Sequence, residues 1–182
     1  MVNYLIDFMF RQFGEPNMKI GIVYYSRTGN TKHAAKIIES KLKEQKADVE
    51  LVEIEHLKKP GFIKAGRAAL TQKELPIKNT ESDLKKYDFI LVGSPTWAGR
   101  PVPYIKTFMS KTENVKGKKA MIFNTGASPI DDREKTIEII KNDLDKFGLS
   151  VIDNSLKLKM KKQEIQDGEQ YIDKFVEKIK LE

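Results

Sequence analysis

Cysteine is absent from this chain of 182 residues, which excludes disulfide staples, thiolate metal sites, cysteine nucleophiles and cysteine-ligated iron–sulfur clusters. A chain without cysteine bears no mark of an oxidising compartment, so the expected location is cytoplasmic. Histidine is scarce too. His56 has no companion at metal-ligand spacing, and His33 reads as a packed or exposed residue in the first turn of a helix. No apolar run is long enough to cross a bilayer. Neither G-x-x-x-x-G-K-[ST] nor G-x-G-x-x-G occurs, which sets aside the commoner ATPase and dinucleotide-binding loops. The formal charge is +7, yet no compact basic run with interleaved aromatics accompanies it. Lysines mix with glutamates, as in Lys41 to Glu50 and Asp173 to Glu182, the pattern of solvated helix faces. Specific nucleic-acid binding is therefore not expected. The excess charge suits acidic protein partners or an anionic nucleotide.

What remains suits one compact domain over residues 18–182, at 40% hydrophobic and 32% charged over the chain. Residues 1–17 form an extension. Val2, Leu5, Ile6, Met9 and Phe13 make one helical stripe there, stopped by Gly14 and Pro16. A basic start is missing and Asp7 breaks the apolar region, so the stretch is no signal peptide. It is expected to be a helix packed on the domain or pairing two copies as a homodimer; Met18 is an alternative start.

Beyond it, strands and helices alternate. Lys19 to Tyr25 is the first strand, its apolar run Ile20 to Tyr25, and Phe89 to Gly93 and Ala120 to Phe123 are apolar runs as expected of buried strands. Asp48 to Ile54 alternates and reads as an edge strand. Val151 to Leu158 is the fifth strand. Helices are expected over Lys32 to Lys46, Phe62 to Gln72, Tyr104 to Lys111, Asp131 to Phe147 and Asp167 to Leu181, with a further helical turn at Asp83 to Tyr87. Pro103 suits a first helical turn, Asp131 with Glu134 suggests a capping box, and Gly148 a helix stop. Such alternation predicts an α/β fold with a parallel sheet, helices on both faces and right-handed crossovers.

The most informative stretch is Ser26-Arg27-Thr28-Gly29-Asn30-Thr31, between the first strand and its helix. Free N–H groups of the first helical turn point into such a loop, and the helix dipole adds positive charge. Ser26, Thr28, Asn30 and Thr31 add side-chain donors, and Gly29 lets the backbone approach an anion. An ordinary capped helix start draws on the same residue types. The hexamer fits the Thr/Ser-x-Thr-Gly-Asn-Thr loop of the flavodoxin family at every fixed position, and here the chain resembles that family. The resemblance extends over nearly everything from Met18 onward.

The resemblance implies a flavodoxin-like three-layer sandwich with a five-stranded parallel sheet in the order 2-1-3-4-5. It implies FMN as cofactor, bound where strand order reverses. Ser26, Arg27, Thr28, Gly29, Asn30 and Thr31 would hold the phosphate. Ser94, Pro95, Thr96, Trp97, Ala98 and Gly99 would line one side and the edge of the isoalloxazine, with Trp97 stacking and the backbone at Trp97 to Gly99 nearest N5. Asn124, Thr125, Gly126 and Ala127 would bond the pyrimidine end through backbone groups. Two departures stand out. The third loop has no aromatic to sandwich the ring, and the three loops carry no acid but contain Arg27, with Arg100 next to them.

No catalytic acid, base or nucleophile is indicated by spacing; Tyr24 and Tyr104 read as packing residues. Three readings stay open. One is an electron carrier between redox partner proteins, and another an NAD(P)H-dependent reductase of quinones or free flavin. The last is a flavin-free partner-binding module.

Overall fold

The computed structural model describes residues 18–58, 61–79, 83–127 and 129–180. The stripe of residues 1–17, and Ser128 at the end of the third loop, lie outside them. The strands are β1 (Lys19–Tyr24), β2 (Asp48–Glu53), β3 (Phe89–Trp97), β4 (Arg100–Pro101), β5 (Lys119–Gly126), β6 (Ser150–Lys161) and β7 (Glu164–Ile165). The helices are α1 (Asn30–Glu44), α2 (Phe62–Thr71), α3 (Pro103–Ser110), α4 (Ile130–Lys146) and α5 (Gln170–Lys180).

Five strands are parallel, in the order β2-β1-β3-β5-β6. That is the expected 2-1-3-4-5 once the short β4 is counted apart. Two antiparallel additions were not expected: β4 folds back on the end of β3, and β7 folds back on the end of β6. Both are two residues long, too short to show a period.

Side-chain alternation builds two cores. Ile20, Ile22, Tyr24, Leu91, Met121 and Phe123 point to the face covered by α1 and α5, against Ala34, Ile38, Ile172 and Phe175. Val23, Tyr25, Ile90, Val92 and Ile122 point to the other face, against Tyr104, Phe108, Ile140 and Leu144 of α3 and α4. α2 lies over β3 and β4 through Ala65 and Ala69. Gly93 is required by this packing, because an added Cβ would run into the ring of Phe123, its partner across the ladder.

Three local expectations fail. Asp83 to Tyr87 closes a single turn, Tyr87 N–H to Leu84 O at 3.1 Å, and starts no helix. The capping box is not made: α4 starts one residue earlier, with Pro129 at its N-cap and no side-chain cap, and Glu134 reaches across to Lys157 Nζ at 2.9 Å. The last helix starts at Gln170, and Asp167 instead receives the Lys159 N–H on its carboxylate. Pro103 does open α3, and Gly148 at φ +90° does end α4.

Candidate functional site

The site forms where β1, β3 and β5 end side by side, so the three loops are neighbours by topology. In the first loop Gly29 takes φ +91°, a value that L side chains resist. The helix then starts at Asn30, and His33 N–H donates to Gly29 O at 2.8 Å. The N–H groups ahead of His33 are those a helix start leaves without intrahelical partners. Ser26 Oγ is buried with no hydrogen-bond partner. Thr28 is exposed, while Ser26, Arg27, Gly29 and Asn30 are partly buried.

The second loop is a two-residue hairpin between Trp97 and Arg100. Ala98 and Gly99 both have positive φ, +47° and +70°, as a type I′ turn needs. Trp97 is half-buried and meets Tyr25 and Tyr104 edge-on, at 5.7 and 6.4 Å between centroids. Tyr25 and Tyr104 stack at 4.5 Å, and the Arg27 guanidinium lies over the Trp97 ring at 5.4 Å. Trp97 therefore belongs to an aromatic cluster at the loop's base. Burial pushes the Tyr25 hydroxyl well above the usual phenol range, with Tyr104 adding to the rise and Arg27 opposing it. That hydroxyl is buried and unpartnered as well.

Four of the sequence-predicted residues are buckles. Thr31, Ser94, Asn124 and Thr125 are almost wholly buried. Thr31 Oγ1 and Thr125 Oγ1 share a hydrogen bond of 2.8 Å, joining the first loop to the third. Asn124 Nδ2 donates to Ser94 O at 2.7 Å, and Thr96 Oγ1 donates to Asn124 Oδ1 at 3.1 Å, joining the third to the second. Ser94 Oγ accepts the Val102 N–H at 3.2 Å and so fixes the entry to α3. Pro95, Thr96, Gly99 and Gly126 are partly buried, and Ala98 and Ala127 are exposed.

Three contributors escaped the sequence. Gln163 N–H, from the β6–β7 turn, donates to Asn30 Oδ1 at 2.8 Å across 133 residues of chain. Asp132 places a carboxylate oxygen 3.0 Å from where a Cβ on Gly99 would stand, so an acid from α4 adjoins loops that contain none. Thr136 bonds Thr96 at 3.1 Å. A tie over so many residues leaves no local pattern; Asp132 was legible only as a helix-start acid. Among the described residues no group of acidic or histidine side chains is arranged to hold a metal, and no helix is long and apolar enough to cross a membrane.

A parallel sheet of this order, with a hydroxyl-rich loop at its first strand end, defines the flavodoxin-like class of FMN-binding proteins. The sequence pattern of the NADPH-dependent FMN reductase family matches residues 18–136, well over half of the chain, and the chain belongs to that family. Curated relatives carry two kinds of name. An NAD(P)H dehydrogenase (quinone) of Brucella anthropi is 29% identical over 60% of this chain and 54% of its own length, so the chain spans about half of that relative. A flavodoxin of Maridesulfovibrio salexigens is 27% identical over 75% of this chain and 83% of its own length. Among solved structures, a flavoprotein in complex with FMN from Lactobacillus acidophilus superposes with a TM-score of 0.63, 28% identity, and coverage of 87% of this chain and 98% of that one. FMN is the cofactor of this chain, which removes the flavin-free reading. The residues present fit it: the buried, unpartnered Ser26 Oγ and the left-handed Gly29 are what a phosphate-binding turn requires.

Proposed function

We propose that the chain is a cytoplasmic electron carrier working between redox partner proteins, with FMN held by the three cross-tied loops. FMN, when bound, supplies the redox chemistry. The protein's share is to bind and orient. Ser26 Oγ and Thr28 Oγ1, with the N–H groups of residues 27–31, hold the phosphate dianion at the N-terminus of α1. The Thr31–Thr125 and Asn124–Ser94 bonds keep the strand ends in register, so the cradle needs no rearrangement to receive its ligand. Trp97, braced edge-on by Tyr25 and Tyr104, offers a fixed ring for stacking, worth about 0.5–1.5 kcal/mol beyond area burial. Gly126 and Ala127 present backbone groups to the pyrimidine end.

The observation that carries the cradle is Ser26 Oγ, a buried donor with no protein partner in a loop whose Asn30 and Thr31 are tied to Gln163 and Thr125. Carrier rather than reductase is supported by the match to flavodoxins over more than four-fifths of their length. A second reading, an NAD(P)H-dependent reductase of quinone or free flavin, is favoured by the third loop, where exposed Ala127 offers no ring to cover the cofactor. Stopped-flow mixing of the FMN-loaded protein with NADPH separates the two. A carrier stays yellow until a partner reductase is added; bleaching within seconds by NADPH alone would assign it to the reductases.

A further inference from the structure

Helix α2 is inverted relative to an ordinary surface helix. Its body-facing side is made of small residues, Ala65 at 3% and Ala69 at 0% exposure, while Ile63 is 89% and Leu70 55% exposed. Ile63, Arg67 and Leu70 fall at i, i+4 and i+7 and so share the outward face. Leu57, just ahead of the helix, is 62% exposed. Single exposed apolar residues are common, but two on the outward face of one short helix, with a third close ahead in sequence, are a candidate interaction surface. Lys58, Lys64, Arg67 and Lys73 are exposed around them, and among the described residues none of these side chains makes an ion pair.

The stripe is joined to the candidate FMN site. Gln72, just past α2, donates from Nε2 to Pro101 O at 3.2 Å, and Pro101 and Arg100 pair with Thr96 and Trp97. Three occupants from outside the chain are weighed, and the charge pattern separates them. A second copy would set these four cations against four of its own. A bilayer would have to take Arg67 between Ile63 and Leu70, in the middle of the apolar stripe. An acidic protein face with an apolar centre satisfies both the apolar side chains and the cations.

We propose that the outward face of α2 is the docking surface for an acidic redox protein, an inference that rests on the electron-carrier reading above. The probe is cytochrome b5, an acidic haem protein, titrated into the FMN-loaded protein at low ionic strength by calorimetry, with basic cytochrome c as the contrast. Wild-type protein is expected to bind cytochrome b5 and to lose affinity as salt is raised. K64E/R67E and I63S/L70S are each expected to weaken that binding about tenfold, and K64E/R67E to strengthen binding of cytochrome c. These side chains are exposed, so the fold is not at stake, and FMN retention by each variant checks this. Equal cytochrome b5 affinity in wild type and variants, or none in wild type, overturns the docking surface while the carrier reading stands. Binding of wild type, but not I63S/L70S, to phosphatidylglycerol vesicles overturns it in favour of a membrane. A wild-type dimer that I63S/L70S dissociates overturns it in favour of self-association. Unaided bleaching by NADPH is a separate result and removes the carrier reading itself.

Discussion

Ser26 places a hydroxyl inside the protein where no protein group receives it. Burying an unpaired polar group costs free energy, so the residue weakens the apo fold and repays that only with a bound acceptor. Ser26→Ala is predicted to weaken FMN binding by about tenfold to a hundredfold, the worth of a hydrogen bond to a charged group, while leaving the apo melting temperature unchanged or slightly raised. Quenching of flavin fluorescence and thermal melts of the apo-protein read the two halves separately. At Gly99 the limit is backbone rather than contact. Proline is locked near φ −65° and Gly99 sits at +70°, so Gly99→Pro cannot close the Trp97–Arg100 turn. FMN affinity is predicted to fall at least about tenfold by the same quenching assay, since loss of the turn frees Trp97 from its braced position.

The elements are ordered by how ligand and core share the sheet. Gly93 lies one residue before the second loop begins, under the Phe123 ring. Gly93→Ala is predicted to destabilise the protein by about 3 kcal/mol or more in urea unfolding, at the high end for overpacking, because both neighbours are central strands that cannot shift. Adding Phe123→Leu should recover part of the loss by withdrawing the ring edge. Much at this scale was legible in the sequence. Apolar runs announced β1, β3 and β5, and the alternation of Asp48 to Ile54 announced an edge strand, because burial on two faces or one is written directly in side-chain polarity. Ser26 to Thr31 stood out because hydroxyl, glycine and amide residues fall in a row between a strand and its helix. What stayed hidden depends on partners distant in sequence. The β6 ladder slips between Ala120–Val151 and Ile122–Ser155, leaving residues 152–154 opposite Met121, and no residue type there predicts it. The Thr31–Thr125 and Asn30–Gln163 ties join positions 94 and 133 residues apart. Glu134 had the right type and spacing for a capping box, but Lys157 on the next strand took its carboxylate.

Across the whole molecule, Tyr24, Tyr25, Tyr87 and Tyr104 are each almost wholly buried, and burial is the largest cause raising all four phenols above their ordinary value of 10.0. For Tyr24 and Tyr87 neighbouring carboxylates, Glu53 and Glu50, add to the rise. The sign follows from proton counts. Above pH about 10 the unfolded chain loses phenolic protons that the folded chain keeps, so the contribution of these four phenols to stability is constant below that value and is lost as pH rises through it. Alkaline unfolding is therefore predicted to begin near pH 10, with the phenolate absorbance of these four tyrosines appearing together with loss of helical circular dichroism; phenolate from more than the other two of the chain's six tyrosines in a fully folded protein would contradict it.

The central claim is that Arg27 to Thr31, Trp97 to Gly99 and Asn124 to Ala127 form one cradle around FMN. Its most direct measurement is an amide chemical-shift map of 15N-labelled apo-protein titrated with FMN. The predicted result is saturation at one FMN per chain, with the largest shifts at those three segments and at Gln163, which reports on Asn30. Large shifts confined elsewhere, such as the groove between β6 and α5 lined by Asn154, Leu156, Tyr171 and Phe175, or no saturable shifts at all, would contradict it.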